Sequence, residues 1–193
     1  QKNETIRVTW LGHASLLIQM NGCNIVTDPV FSDRCSPVSF LGPKRFQPPP
    51  CSIQELCENV PVDAILISHN HYDHLDYASL QEFAIHAPGA KMVVPLGLKD
   101  WFRRSMDLQE DPPHHDGDQV LSELDWHEQT CILGGARDGK EQSQCEITAV
   151  PMRHWSNRVG DRDKTLWCGY VISSSPSQRN MEDPTTTTEK TTS

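Results

Sequence analysis

The six residues His69-Asn70-His71-Tyr72-Asp73-His74 place three imidazoles and one carboxylate within a single short stretch. Neutral imidazole nitrogen and carboxylate oxygen are donors that Zn2+ prefers, and a catalytic site leaves a position open for water. His69 and His71 stand two apart, so extended chain turns both to one side, and the turn that follows redirects Asp73 and His74 to a neighbouring point. Two adjacent metal positions follow from that spacing. Zinc lowers the pKa of a bound water from about 16 to about 7, and a metal pair roughly 3.5 to 4 Å apart can hold a phosphoryl oxygen while stabilising the attacking and leaving oxygens. Asp73 is the catalytic candidate, binding the second zinc while orienting the hydroxide. The competing reading, a polar loop whose histidines merely hydrogen-bond or cap a helix, does not explain this residue order between a buried strand and a helix start.

His154 follows an apolar run, Cys145 to Val150, that Pro151 terminates, so it too sits at a strand's end and is the third ligand expected for the first zinc. His13, His86 and His127 read as structural, although His13, in a turn beside Gly12, could lie near the site. Adjacent His114 and His115 occupy an acidic, turn-rich insertion, residues 107 to 118, and lack the fixed geometry of a tight site.

Positioning these side chains requires a sheet. Ile6, Val8 and Trp10 alternate with polar neighbours, and the runs Ser15 to Met20 and Cys23 to Thr27 flank Asn21-Gly22, a hairpin signal because both residues tolerate positive φ. Prolines 29, 37, 43 and 48 to 50 make residues 28 to 52 an irregular loop. Ala64-Ile65-Leu66-Ile67 has the continuous apolar character of a strand buried on both faces. The hexad follows it directly. Leu80, Phe83, Ala84 and Ala87 then recur at helical spacing, with Asp76 at the start as a cap and Pro88-Gly89 at the stop. Met92-Val93-Val94 completes a βαβ unit, which puts the hexad at the carboxyl end of a strand, where open α/β sheets hold ligands. Thr130 to Leu133, Cys145 to Val150 and Leu166 to Ile172 read as further strands. One domain over residues 1–172 is expected, followed by a disordered tail of Ser, Thr and Pro over 173–193.

The chain has 193 residues, 36% hydrophobic and 22% charged, the composition of an ordinary globular protein. A net charge of −9 argues against nucleic-acid binding, which needs Lys and Arg to displace counterions. Lys44-Arg45, Arg103-Arg104 and Arg153, Arg158 and Arg162 read as scattered surface charge. Seven cysteines without a Cys-x-x-Cys pair form no disulfide framework and suggest a reducing compartment. No apolar run spans a bilayer, so membrane contact is expected to be peripheral. The first residue is Gln1, which leaves room for an upstream segment.

The chain resembles the N-acylphosphatidylethanolamine-hydrolysing phospholipases D, a branch of the metallo-β-lactamase superfamily. The resemblance runs from about Thr5 to Ile172. It rests on the blocks Val8-Thr9-Trp10-Leu11-Gly12-His13-Ala14, Thr27-Asp28-Pro29, Gly42-Pro43-Lys44-Arg45-Phe46, Leu66 through Tyr77, Val94 through Leu98, Glu123-Leu124-Asp125-Trp126 and His154-Trp155. What it implies is an α/β fold, the αββα sandwich of that superfamily, with mainly the N-terminal half present. It further implies zinc-dependent hydrolysis of N-acylphosphatidylethanolamine to N-acylethanolamine and phosphatidic acid, with His69, His71 and His154 on one zinc and Asp73 and His74 on the other. A phospholipid substrate at a membrane surface, a homodimer and a cytoplasmic, peripherally membrane-associated location come with it.

The chain departs from the family's pattern beyond His154. A later Asp that bridges the metals and a last His belong to that pattern, yet no His follows His154, and the aspartates beyond it are Asp161, Asp163 and Asp183. The expectation is a fold that stops near Ile172, from a truncated product or an incomplete gene model, with an exposed apolar sheet face and poor solubility. Two alternatives stay open: a hydrolase of the same superfamily that opens lactones or phosphorylated sugars, and a non-catalytic remnant that binds zinc.

Overall fold

The computed structural model describes residues 5–38, 40–106, 120–135, 143–158 and 160–174. Strands β1 (Arg7–Gly12), β2 (Ser15–Met20) and β3 (Cys23–Thr27) form an antiparallel meander. Asn21 and Gly22 take φ of +46° and +74° and bring Met20 opposite Cys23, the two-residue hairpin the sequence predicts. Next come α1 (Ile53–Asn59), β4 (Ala64–Leu66), α2 (Tyr77–His86), β5 (Lys91–Pro95), α3 (Lys99–Met106) and β6 (Leu121–Leu124). Strands β3 to β6 pair in parallel, and all six strands lie in one sheet in chain order. A second, antiparallel sheet consists of β7 (Gln129–Gly134), β8 (Ser143–Val150) and β9 (Gly169–Ser174).

Alternation along the central strands builds two cores from one run of residues. Ile65 and Ile67 join Val26, Met92, Val94, Leu80 and Phe83 on the helix side. Ala64, Leu66, Ile25 and Val93 pack instead with Ile132, Cys145 and Ile147 of the small sheet. Helices, large sheet and small sheet are thus three successive layers, the mixed α/β architecture expected of this fold class.

Several local expectations need correction. Asp76 stands at the N-cap of α2, but its side chain caps no backbone N–H of that helix. Its Oδ2 instead accepts from the Ser79 hydroxyl and from the Ser32 N–H at 3.1 Å, tying the helix to the long loop. Helix α1 was legible but missed: Ser52 and Glu55 form a complete capping box, the hydroxyl accepting from Glu55 N and the carboxylate from Ser52 N. Helix α3 and strand β6 also lie outside the sequence expectations. Strand β9 runs through Ser173 and Ser174, where the tail was expected to begin; the segment beyond, like the insertion with His114 and His115, lies outside the described residues.

Candidate metal centre

Parallel pairing carries the carboxyl ends of β3 and β4 to one edge of the sheet, so Asp28, Ser68 and the hexad emerge together. Asp28 takes a left-handed φ of +41°, a conformation that Asp tolerates better than most residues, and its N–H donates to Leu66 O at 2.8 Å. Its carboxylate is nearly enclosed and accepts three hydrogen bonds. Ser68 N donates to Oδ1 at 2.7 Å, Ser68 Oγ to Oδ2 at 2.7 Å and His74 Nδ1 to Oδ2 at 2.8 Å.

This arrangement fixes tautomers. Because the Ser68 hydroxyl proton goes to Asp28, His69 Nδ1, 2.9 Å from Ser68 Oγ, must be the donor there, which leaves Nε2 of neutral His69 as a lone pair. That Nε2 lies 2.9 Å from His71 Nδ1 and 2.9 Å from His154 Nε2. One ligand atom from each of His69, His71 and His154 falls within 4.8 Å of the others, and among the described residues they are the group so placed. His74 Nε2 is 3.8 Å from Asp73 Oδ2, and the His74 ring lies 4.1 Å from that of His69. Asp73 and His74 therefore border the trio without joining it. His13, at a left-handed φ of +52°, holds Nε2 3.4 Å from Asp73 Oδ2, while His86 and His127 stay outside the cluster.

His154 reaches the hexad from 85 positions away because its loop is anchored. Cys168 N donates to Ser68 O at 3.0 Å, and Asn157 N to Oδ1 of the fully buried Asn70 at 2.9 Å.

Burial, reinforced by His74, His154 and His71, holds the His69 pKa down to about 3. His71 is lowered as well, by burial and then by His154. Both are thus neutral near pH 7, the form a metal requires. For His74, burial opposes protonation, but the hydrogen bond and charge of Asp28 and the charge of Asp73 outweigh it and raise the pKa. Burial would raise Asp73, yet His74, a backbone N–H and His13 prevail and keep it ionised. His71 Nε2 is buried without a partner and its ring meets Trp155 edge-on at 4.5 Å, so Nδ1 is the nitrogen available to a cation. Three facing nitrogens, at least two of them neutral, with one lone pair fixed by the Ser68–Asp28 relay, suit a cation that replaces mutual repulsion with coordination.

Beside His13 opens a cavity of about 400 Å³ lined by Trp10, Arg45, Phe46 and Pro48. Among the described residues no helix is long and apolar enough to cross a membrane.

Fold and site together define a class: residues 23–180 match the family described as the beta-lactamase superfamily domain, and the chain belongs to that superfamily. Its relatives include N-acyl-phosphatidylethanolamine-hydrolyzing phospholipase D 1 of Caenorhabditis elegans, 36% identical over 165 residues, covering 85% of this chain and 42% of the relative. The mitochondrial N-acyl-phosphatidylethanolamine-hydrolyzing phospholipase D of Saccharomyces cerevisiae is also 36% identical over 165 residues, covering 85% of this chain and 31% of the relative. The chain therefore spans less than half the length of these relatives. Among solved structures, a metallo hydrolase of the archaeon Ignicoccus hospitalis has a TM-score of 0.54 at 18% identity, over 88% of this chain and 56% of the other, a likeness of fold.

Asp28, Ser68 and Asn70 are the site residues that sequence reasoning missed as site residues. A signal for Asp28 existed: it is an acidic residue directly after an apolar strand, at the end where the hexad also emerges.

Proposed function

We propose that this chain carries the metal-binding part of a zinc-dependent phosphodiesterase that hydrolyses N-acylphosphatidylethanolamine to an N-acylethanolamine and phosphatidic acid. The observation that carries the reading is the convergence of His69 Nε2, His71 Nδ1 and His154 Nε2, on a chain 36% identical to a protein named for that reaction. A bound zinc supplies Lewis acidity toward a phosphoryl oxygen and lowers the pKa of water to about 7. His69, His71 and His154 would hold it, with Asp73 and His74 toward a second position. Asp73, kept ionised, accepts a hydrogen bond from the attacking water and orients it on phosphorus. Asp28 holds His74 by Nδ1 and leaves Nε2 facing the site. Trp10 and Phe46, 62% and 99% exposed beside the cavity, offer apolar surface suited to acyl chains or a lipid interface.

The test is product release from vesicles containing N-acylphosphatidylethanolamine, with zinc-loaded chain and His71→Ala alongside. Wild type is expected to turn over, and H71A to lose at least about a hundredfold, as for a lost metal ligand. Activity that survives H71A would overturn the mechanism; wild-type chain with bound zinc and no product would overturn the substrate.

A second reading has its own observation, the single trio found among the described residues. It makes the chain a binder of one zinc without turnover. Metal analysis separates the two, because two tightly held zincs with turnover exclude it.

A further inference from the structure

Arg158 stands four residues beyond His154 on the same loop, and it is not the surface charge the sequence suggests. Its Nη1 donates to Leu75 O at 2.8 Å and to Asn70 O at 3.3 Å, carbonyls that bracket His71 through His74. Between those contacts the guanidinium lies over the Tyr72 ring, 4.1 Å from its centroid, and 5.1 Å from that of Trp101 on α3. The Arg158 N–H donates to Asp161 Oδ1, and Asp161 Oδ2 accepts from Asn70 Nδ2 at 3.3 Å. One cation thus touches the hexad near its start, at Asn70, and in its middle, at Tyr72, together with Leu75 just after its end, from the loop that supplies His154.

We propose that Arg158 is a positioning residue for the metal centre, a brace that locks the hexad loop to the His154 loop before a metal arrives. Ligands on two separately mobile loops would have to be ordered at the moment of binding, at a cost in affinity, whereas a brace makes that ordering part of folding. A guanidinium suits the task because its plane stacks on Tyr72 while its edge donates to two carbonyls; a lysine ammonium offers a point charge without the plane.

The inference rests on the metal reading, and the experiment separates their failures. Co2+ titration of the full chain, followed by the visible absorption of the bound ion, is run on wild type, Arg158→Met, Arg158→Lys and Ser52→Ala. R158M is expected to weaken Co2+ by about tenfold or more and to change the band shape, and R158K to weaken it by at least about threefold, as outer-shell losses do. S52A, a destabilising change at the α1 cap remote from either loop in sequence, is expected to stay within about twofold of wild type. R158M binding like wild type overturns the brace, as does S52A losing as much as R158M. If R158M does not fold, R158K decides, and parity with wild type is the overturning result. Wild type that binds no Co2+ overturns the metal reading and this proposal with it.

Discussion

At the scale of single residues, Asp28 does the most for its size. One carboxylate holds His74 by its ring N–H and, through Ser68, sets the tautomer of His69. Asp28→Asn keeps the shape but puts an amide where three donors converge. Zinc affinity is expected to fall about 10- to 100-fold, read by competition with a chelating dye. The same pair predicts a pH dependence in metal-free chain. His74 has a folded pKa above its ordinary 6.5, so its stabilisation is fully present below 6.5 and is lost as pH rises through the raised value. His69 and His71 shift the other way, chiefly through burial, which D28N leaves in place. The stability gap between wild type and D28N should therefore be wider at pH 6 than at pH 8 by chemical denaturation; a gap that does not narrow contradicts the pairing.

Elements are held to one another at a few close approaches. Helix α1 has only seven residues, too few to persist alone, and depends on packing of Ile53 and Leu56 and on its capping box. Ser52→Ala is expected to cost about 1 kcal/mol in urea denaturation. Where β7 of the small sheet meets the β2–β3 turn of the large one, a Cβ on Gly134 would lie 2.8 Å from Gly22 O and 3.1 Å from Cys23 Sγ. The first of those is backbone and cannot swing aside. Gly134→Ala should therefore destabilise by about 1 to 3 kcal/mol, the range for overpacking, measured the same way. No loss at all would mean that the two sheets are free to separate there.

For the whole molecule, the informative feature is an edge. Among the described residues strand β1 ends the six-stranded sheet, with no strand paired on its outer side, and Ile6, Val8 and Trp10 are 58%, 57% and 62% exposed along it. Val8 pairs with Ile18, which packs into the core between the sheets, so this is the apolar face on which the small sheet sits further along. An unpaired strand edge beside exposed apolar side chains favours self-association. Sedimentation velocity is expected to show concentration-dependent association that Val8→Lys diminishes. A monomer at every concentration, for the unmodified chain, would count against it.

How much could be read in advance depended on how local the signal was. The hairpin at Asn21-Gly22, the strand at Ala64 to Leu66 and the candidate hexad after it each announce themselves within a few residues, because turn conformation, two-sided burial and the spacing of donor side chains are properties of short segments. His154 was legible as a candidate for the same reason, as the histidine just past a strand that a proline ends. Helix α3 was legible and missed, since Leu98, Trp101, Phe102 and Met106 recur at helical spacing over one short stretch; strand β6 was not, since Leu-Ser-Glu-Leu suits a helix turn as well as a strand. The roles of Asp28, Asn70, Arg158 and His13 belong to the tertiary structure. Their partners lie 46, 87, 83 and 60 positions away, and only parallel pairing of β3 with β4 and the folding back of the His154 loop bring them to the hexad. The sequence determined which atoms are available to a metal; the fold decided which nitrogens face one another, which carry protons and what holds them still.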